Sequence, residues 1–248
     1  MNRQSSLAVQ SQNSSSLQNT FQVVPTPQSL SEMKMNIPVQ RNFWKYARLC
    51  EEDFQKVADT GDIILFKAPD FACKMQRFIT NSNYNHIAMI LRSSTGSLKF
   101  IEATMQQGVE IIDWEIFVHY KCYRHFERVV YRRVGNFQRS KETLTKLEEF
   151  IKVAKNKRYS LAATKLLRKH CTNDSDISIK EDKTYFCSEL VASLYKNMGL
   201  LPPDISASQY WPVNFSSRAG MKLLGGAFLD EEKLLEFNSV ISGEGGNA

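Results

Sequence analysis

The sequence predicts an α+β domain in which an antiparallel sheet packs against helices. Three short apolar segments separated by polar turns follow one another over residues 86–112, as the strands of an antiparallel meander do. Stretches with apolar residues at helical spacing come before and after these strands. Strands in the middle of a chain with helices on either side are typical of the α+β class.

Composition divides the chain into three parts. Residues 1–40 are rich in Ser, Gln and Asn and almost uncharged, so they cannot bury enough apolar surface to fold, and we expect a disordered tail. Residues 41–228 carry the regular apolar patterns and are interpreted as the folded domain, which begins with an amphipathic stretch over 43–58. Residues 229–248 are expected to be a polar, poorly structured end.

The strands and helices are predicted from apolar periodicity and from the turn residues between them. Buried strands are predicted by five apolar or alternating runs: Ile63–Phe66, His86–Leu91, Leu98–Ala103, Val109–Ile112 and Arg128–Val134. Three helices are predicted from apolar residues three and four positions apart: one over 71–79, one after Ser140, and one from Cys187 to Met198.

Length, hydropathy and cysteine content favour a soluble protein of a reducing compartment. The chain has 248 residues, 42% of them hydrophobic, which is enough to form a core without disulfides or metals. Its five cysteines are odd in number and scattered, as free thiols are. Its apolar runs are short, and its N-terminus lacks the apolar stretch of a secretory signal. We expect a cytoplasmic protein, with peripheral membrane contact as an alternative.

Basic residues concentrate between Lys121 and Lys169, with fifteen Lys or Arg against four Glu. Such a stretch can attract the phosphates of an anionic membrane, or it can simply be the solvated face of a helix. The stretch contains no recognisable base-reading motif, so we expect no nucleic acid partner. A structural zinc site could be imagined from four residues, namely Cys122, His125, His170 and Cys171. Their spacing lacks the closely paired ligands of structural zinc sites, so no metal is expected.

Cys187 is the first candidate for a catalytic residue. It opens a predicted helix, where unpaired backbone amides and the helix dipole favour a reactive thiol, although a buried cysteine there is also a common small apolar residue. A nucleophilic cysteine needs a base, and His86 stands at the start of an apolar strand, where rigid backbone holds a side chain. Glu102 lies in the next strand, within reach across a hairpin. The alternatives are a strand-end histidine with a structural partner and a solvent-facing glutamate.

These segments together resemble a known superfamily. In chain order, the segments are GDIILF, NSNYNHIAMI, FIEAT, NKRYS and YFCSELVASLY. This set is similar to the circularly permuted papain-fold families of the NlpC/P60 superfamily, above all to the permuted amidase-like group of the bacterial YiiX proteins and their poxviral relatives. The resemblance covers about residues 58–216 and implies a permuted papain-like fold.

The resemblance also implies the roles of site residues. Cys187 would be the nucleophile, His86 the general base and then the acid, and Glu102 the third member of the triad. Tyr185 corresponds to an aromatic position before the family cysteine and would help the Cys187 amide to stabilise an oxyanion.

Three further residues have expected roles beside the triad. Tyr159 and Trp211 would line the substrate cleft, although both are also typical core or cap residues. Asp62 is expected to fix the start of its strand by a turn hydrogen bond. No cofactor is expected.

Three functional hypotheses follow from the sequence. The leading one is a cysteine-dependent hydrolase that cleaves an amide or ester bond in a small molecule, lipid or peptide through an acyl-enzyme. The second is a lipid- or acyl-binding module on the same fold. The third is an acyltransferase that uses an amine or hydroxyl acceptor instead of water.

Overall fold

A seven-stranded sheet organises the fold. The computed structural model describes residues 46–68, 84–160 and 184–237. The predicted tail (1–40) and the predicted helix over 71–79 lie outside the described residues. The strands are β1 Ala47–Cys50, β2 Ile63–Lys67, β3 His86–Arg92, β4 Leu98–Thr104, β5 Gly108–Asp113, β6 Arg128–Arg132, β7 Val134–Gly135, β8 Phe228–Leu229 and β9 Lys233–Glu236. The α-helices are α1 Glu51–Val57, α2 Trp114–His119, α3 Lys141–Ala154 and α4 Cys187–Asn197.

The sheet is antiparallel except at one edge. Its strand order is β1-β9-β6-β2-β3-β4-β5, and only β1 and β9 run parallel. Strands β3, β4 and β5 pair in succession, which confirms the predicted meander. In this register Met89 lies opposite Ile101, and Glu102 lies opposite Glu110.

Both faces of the sheet are covered, as the uninterrupted apolar run of β2 requires. Ile63 and Leu65 point to one core, which α3 and α4 cover. Ile64 and Phe66 point to a second core, which contains Phe54, Trp114 and Phe117 from α1 and α2. These four side chains are fully buried. Helices on both faces of a mostly antiparallel sheet confirm the predicted α+β class.

The residues at their ends determine where the two long helices begin and end. The Ser140 hydroxyl accepts a hydrogen bond of 3.2 Å from the Thr143 amide, so this side chain caps α3, the helix predicted after Ser140. Helix α4 begins at Cys187, as predicted, and is followed by Gly199 with a φ of 72°, a left-handed conformation that suits glycine.

The prediction of a poorly structured end beyond residue 228 is wrong for the residues that the structure describes. Strand β9 lies inside the sheet between β1 and β6, and Leu235 is buried. The predicted strand Arg128–Val134 is also divided, because β7 leaves the main sheet and pairs with β8. The amphipathic stretch before residue 58 contains both β1 and α1.

No helix in the described ranges combines the length and the apolar character that spanning a membrane requires.

Candidate active site

His86 is held at the start of β3 by the polar residue before it. The Asn85 side chain accepts a hydrogen bond from the Ala68 amide and donates one to the Ala68 carbonyl, each at 3.0 Å. This pair joins the start of β3 to the end of β2, where Phe66 is the cross-strand partner of His86. The two rings lie 5.4 Å apart between centroids. His86 is therefore a buried side chain on rigid backbone.

Glu102 reaches His86 from the neighbouring strand. Its Oε2 lies 2.5 Å from His86 Nε2, although sixteen residues separate the two in sequence. Glu102 is completely buried. Its other oxygen, Oε1, has no hydrogen-bond partner within the described ranges. A buried carboxylate beside an imidazole orients the ring and stabilises its protonated form.

Cys187 meets the same histidine from helix α4. This helix packs on β3 and β4, and it places the Cys187 side chain within hydrogen-bonding reach of His86. The preceding residue, Phe186, offers no side-chain acceptor to the first turn of the helix, and its own amide donates to Glu189 Oε2 at 3.4 Å. Unpaired amides at a helix start are ready donors for an anion. The structure thus brings Cys187, His86 and Glu102 together.

The electrostatics of the site favour a charged imidazole. Burial alone lowers the pKa of His86, but the negative charge of Glu102 and the hydrogen bonds to Cys187 and Glu102 outweigh burial and raise this pKa to about 10. His86 therefore holds its proton at neutral pH, as the partner of a thiolate would.

Tyr185 and Tyr159 are joined through their backbones. They form a parallel bridge, in which the Tyr185 amide donates to the Arg158 carbonyl at 3.1 Å. The Tyr185 ring is buried and lies against Phe150, with 6.3 Å between centroids. The bridge fixes the approach of the chain to Cys187. The expected oxyanion role of Tyr185 and the cleft role of Tyr159 stay predictions.

Trp211 is brought close to the start of α4 by its ring contact with Phe186, at 5.9 Å between centroids. Its backbone amide donates to Asn214 Oδ1 at 2.7 Å, which begins a short 3-10 helix. Trp211 is half-buried. Its substrate-binding role stays a prediction.

Glu110 is a group of the site that the sequence reasoning missed. It lies opposite Glu102 on β5, and its Oε1 accepts a hydrogen bond of 3.4 Å from the Thr104 hydroxyl. Burial and the charge of Glu102 raise the pKa of Glu110 to about 7. The signal was available: a hairpin that pairs Thr104 with Gly108 necessarily pairs residue 102 with residue 110.

Asp62 forms the expected turn hydrogen bond and several others. Its carboxylate accepts from the Asp59 amide at 2.9 Å, from the Tyr131 hydroxyl at 2.6 Å and from the Val134 amide at 2.9 Å. Arg139 adds an ion pair at 3.0 Å. Asp62 is thus a structural residue, as predicted.

The described ranges contain no group of three or more His, Cys, Asp or Glu side chains placed to hold a metal ion. His170 and Cys171, of the zinc set considered from the sequence, lie outside these ranges.

Comparison with known proteins gives a family and a structural relative. A family model described as permuted papain-like amidase enzyme, YaeF/YiiX, C92 family, matches residues 57–209, which include His86, Glu102 and Cys187. Among curated proteins, none matches the chain significantly. A crystal structure described as metalloprotein YiiX from Escherichia coli O157:H7 is similar at 25% identity, with a TM-score of 0.40. The similarity covers 57% of this chain and 66% of the YiiX chain, just under two thirds.

Proposed function

The chain belongs to the permuted papain-like amidase family of YaeF and YiiX, and we propose that it is a cysteine hydrolase of amide or ester bonds in which Cys187, His86 and Glu102 form the catalytic triad. The observation that carries the proposal is the contact of one buried imidazole with both a thiol and a carboxylate. A nucleophile, its base and an orienting group in contact are the arrangement that thiol catalysis requires.

In the proposed acylation step, Cys187 is the thiolate partner of protonated His86, and its sulfur attacks the substrate carbonyl carbon. Because Nε2 of His86 is bonded to Glu102, we assign Nδ1 to the proton transfer that follows. The tetrahedral intermediate collapses, the bond between carbon and leaving group breaks, and His86 gives its proton to the leaving nitrogen or oxygen. An acyl-enzyme remains on the sulfur.

In the proposed deacylation step, His86 accepts a proton from water while the water oxygen attacks the thioester carbonyl. The bond between the carbonyl carbon and the Cys187 sulfur then breaks, and the acid product leaves the Cys187 thiolate beside protonated His86. The backbone amide of Cys187, at the start of α4, is the first proposed donor to the oxyanion in both steps, with Tyr185 as the second. Tyr159 and Trp211 are proposed to line the cleft. If an amine or hydroxyl group attacked the acyl-enzyme in place of water, the acyl group would be transferred to that acceptor.

The test measures the pH dependence of iodoacetamide labelling at each cysteine in wild type and in His86→Ala. We expect Cys187 to label fast at mildly acidic pH and to lose this reactivity in the variant, because the imidazolium no longer stabilises the thiolate. Cys122, which is also buried, is the internal control and should label slowly in both proteins. If Cys187 labels no faster than Cys122, the proposed nucleophile is wrong.

A second test looks for the intermediate itself. Incubation with an activated ester should add one acyl group, detected by mass spectrometry, and Cys187→Ala should abolish the adduct while Cys122→Ala keeps it. An adduct that persists in Cys187→Ala would show that another residue is acylated. Release of the acyl group by an added amine would reveal transfer activity beside hydrolysis.

We further propose that a basic tip contacts anionic membranes. This tip is an exposed cluster that begins at the last residue of α2, and in it Tyr120 is 59% exposed. Its other members, all exposed, are His119, Lys121, Arg124 and His125. Cations around an exposed aromatic ring suit the interface of an anionic bilayer.

The membrane proposal predicts that the protein floats with phosphatidylserine vesicles at low salt and not with neutral vesicles. Lys121→Ala/Arg124→Ala should lose the binding, whereas Lys146→Ala, at an exposed lysine paired with Glu142 on α3, should retain it. Absence of binding at low salt would remove the membrane contact and leave the hydrolase proposal intact.

A further inference from the structure

The side chains of Glu102 and Glu110 lie on the same face of the sheet as direct cross-strand partners. Such partners have Cβ atoms about 4.5–5.5 Å apart, so two glutamate carboxyl groups meet easily. Glu102 is completely buried and Glu110 half-buried. Two adjacent carboxylates in such a place repel each other unless one of them holds a proton.

The two oxygens of Glu102 are in different situations. Oε2 is bonded to the His86 ring, whereas Oε1 is buried with no hydrogen-bond partner within the described ranges. A buried acceptor without a donor costs about 1–3 kcal/mol. An ionised Glu110 has no proton to offer this oxygen, but a protonated Glu110 does.

The groups that act on Glu110 favour its protonated form on balance. Burial opposes ionisation of Glu110 most strongly, and the charge of Glu102 on β4 opposes it further. His86 on β3 and the Thr104 hydroxyl on β4 favour ionisation, but more weakly, so the pKa of Glu110 is raised to about 7. The segment paired with Val109 carries Lys157 and Arg158, and neither is among the groups that shift this pKa.

We propose that Glu110 is a positioning residue: its protonated carboxyl group donates a hydrogen bond to Glu102 Oε1, so that one oxygen of Glu102 is held by Glu110 and the other by His86. The inference rests on the proposed function, because it assigns Glu110 a task in orienting the proposed base. Ionisation of Glu110 removes the donor and repels Glu102, which loosens the contact between Glu102 and His86.

The first test observes the proton directly and needs no catalysis. The infrared band of protonated carboxyl groups is measured near pH 6 in wild type, Glu110→Gln and Glu115→Gln, the last being an exposed glutamate of α2 that serves as control. We expect the band to be weaker in Glu110→Gln than in wild type and in the control. In wild type, the part of the band that Glu110 contributes should disappear with a midpoint near pH 7. Equal intensity in all three proteins would overturn the inference, whatever their activity.

The second test separates positioning from mere packing through rates with an activated ester. In wild type, kcat/KM should fall above about pH 7, as Glu110 ionises. Glu110→Gln should match wild type at pH 6 and escape this fall, because its amide still donates to Glu102. Glu110→Ala should be about tenfold slower throughout, the cost of one lost hydrogen bond.

Equal profiles for Glu110→Gln and Glu110→Ala would overturn the positioning role. If instead wild type itself shows no acylation, the proposed function fails, and the infrared measurement alone decides on the hydrogen bond between Glu110 and Glu102.

Discussion

Glu102 and His86 stand on adjacent antiparallel strands and share a hydrogen bond of 2.5 Å between Oε2 and Nε2. The strands belong to one hairpin, so a short turn brings together residues sixteen positions apart. The pair is buried, and the carboxylate is part of what raises the pKa of the histidine to about 10. The protonation of His86 at neutral pH therefore depends on the carboxylate of Glu102.

Glu102→Gln should separate charge from shape in this pair. The amide fills the same space but carries no negative charge, so the pKa of His86 should fall, as ring NMR titration would show. With an activated ester, kcat/KM should drop by about 10³–10⁴-fold, as when an amide replaces the carboxylate of a catalytic triad. Glu115→Gln is the matched control on the surface of α2. An unchanged pKa of His86 would contradict the assigned role of Glu102.

The strands around the site were predictable because their signals are local. Ile63–Phe66 is an unbroken apolar run, and the turns at Gly96 and Gly108 separate three segments that pair in succession. Cys187 was found for the same reason, since helix α4 begins there and Gly199 follows its end. Each of these signals lies within a few residues of the feature that it predicts.

Features that depend on strand register or on distant partners were missed. Strand β9 has only four residues, and its place in the sheet depends on β1, at the other end of the described chain. Glu110 looks like an ordinary polar residue of a strand until the register places it opposite Glu102. Burial of that pair is a tertiary effect, which periodicity along one strand does not report.

Arg132→Lys tests what holds the C-terminal strands in place. The buried guanidinium donates to the carbonyls of Phe215, Leu229 and Asp230 at 2.6–2.8 Å. A lysine ammonium cannot reach three carbonyls arranged for a planar fork. We expect the free energy of unfolding in urea to fall by about 2–4 kcal/mol.

The neighbouring residue provides the control for Arg132. Arg133 is exposed, so Arg133→Lys should change the free energy of unfolding by less than about 0.5 kcal/mol. Equal effects at the two positions would mean that the carbonyl contacts contribute little.

Gly108→Ala tests the close contact that anchors the segment before Tyr159. Gly108 has a φ of 73°, and the Lys157 carbonyl occupies the place where a Cβ would stand. Alanine adds both backbone strain and a clash, so we expect a loss of about 2–4 kcal/mol in urea unfolding. Gly96 has a φ of 86° and nothing within 4 Å of its Cβ position, so Gly96→Ala carries the strain alone. It should lose about 1–2 kcal/mol, and an equal loss at both positions would contradict the clash.

Asp62 makes the stability of the fold depend on pH. Burial raises the pKa of this carboxyl group to about 6, even though Arg139 and the Tyr131 hydroxyl favour its charged form. In the unfolded chain the pKa returns to 3.8. The folded chain therefore holds the proton more tightly, and the stability that this provides is complete below pH 3.8 and lost as the pH rises through 6.

Asp62→Asn removes the titration of this carboxyl group and keeps every other titratable group of the chain. Asparagine cannot accept all the bonds that Asp62 accepts, so the variant should be less stable at pH 4. Between pH 4 and pH 7 the difference in free energy of unfolding, wild type minus variant, should shrink by roughly 2–3 kcal/mol, measured in urea at both pH values. Other carboxyl groups cancel in this difference, because both proteins contain them. A difference that grows with pH would mean that the ion pair with Arg139 outweighs the burial of the Asp62 charge, and the sign argued for Asp62 would then be wrong.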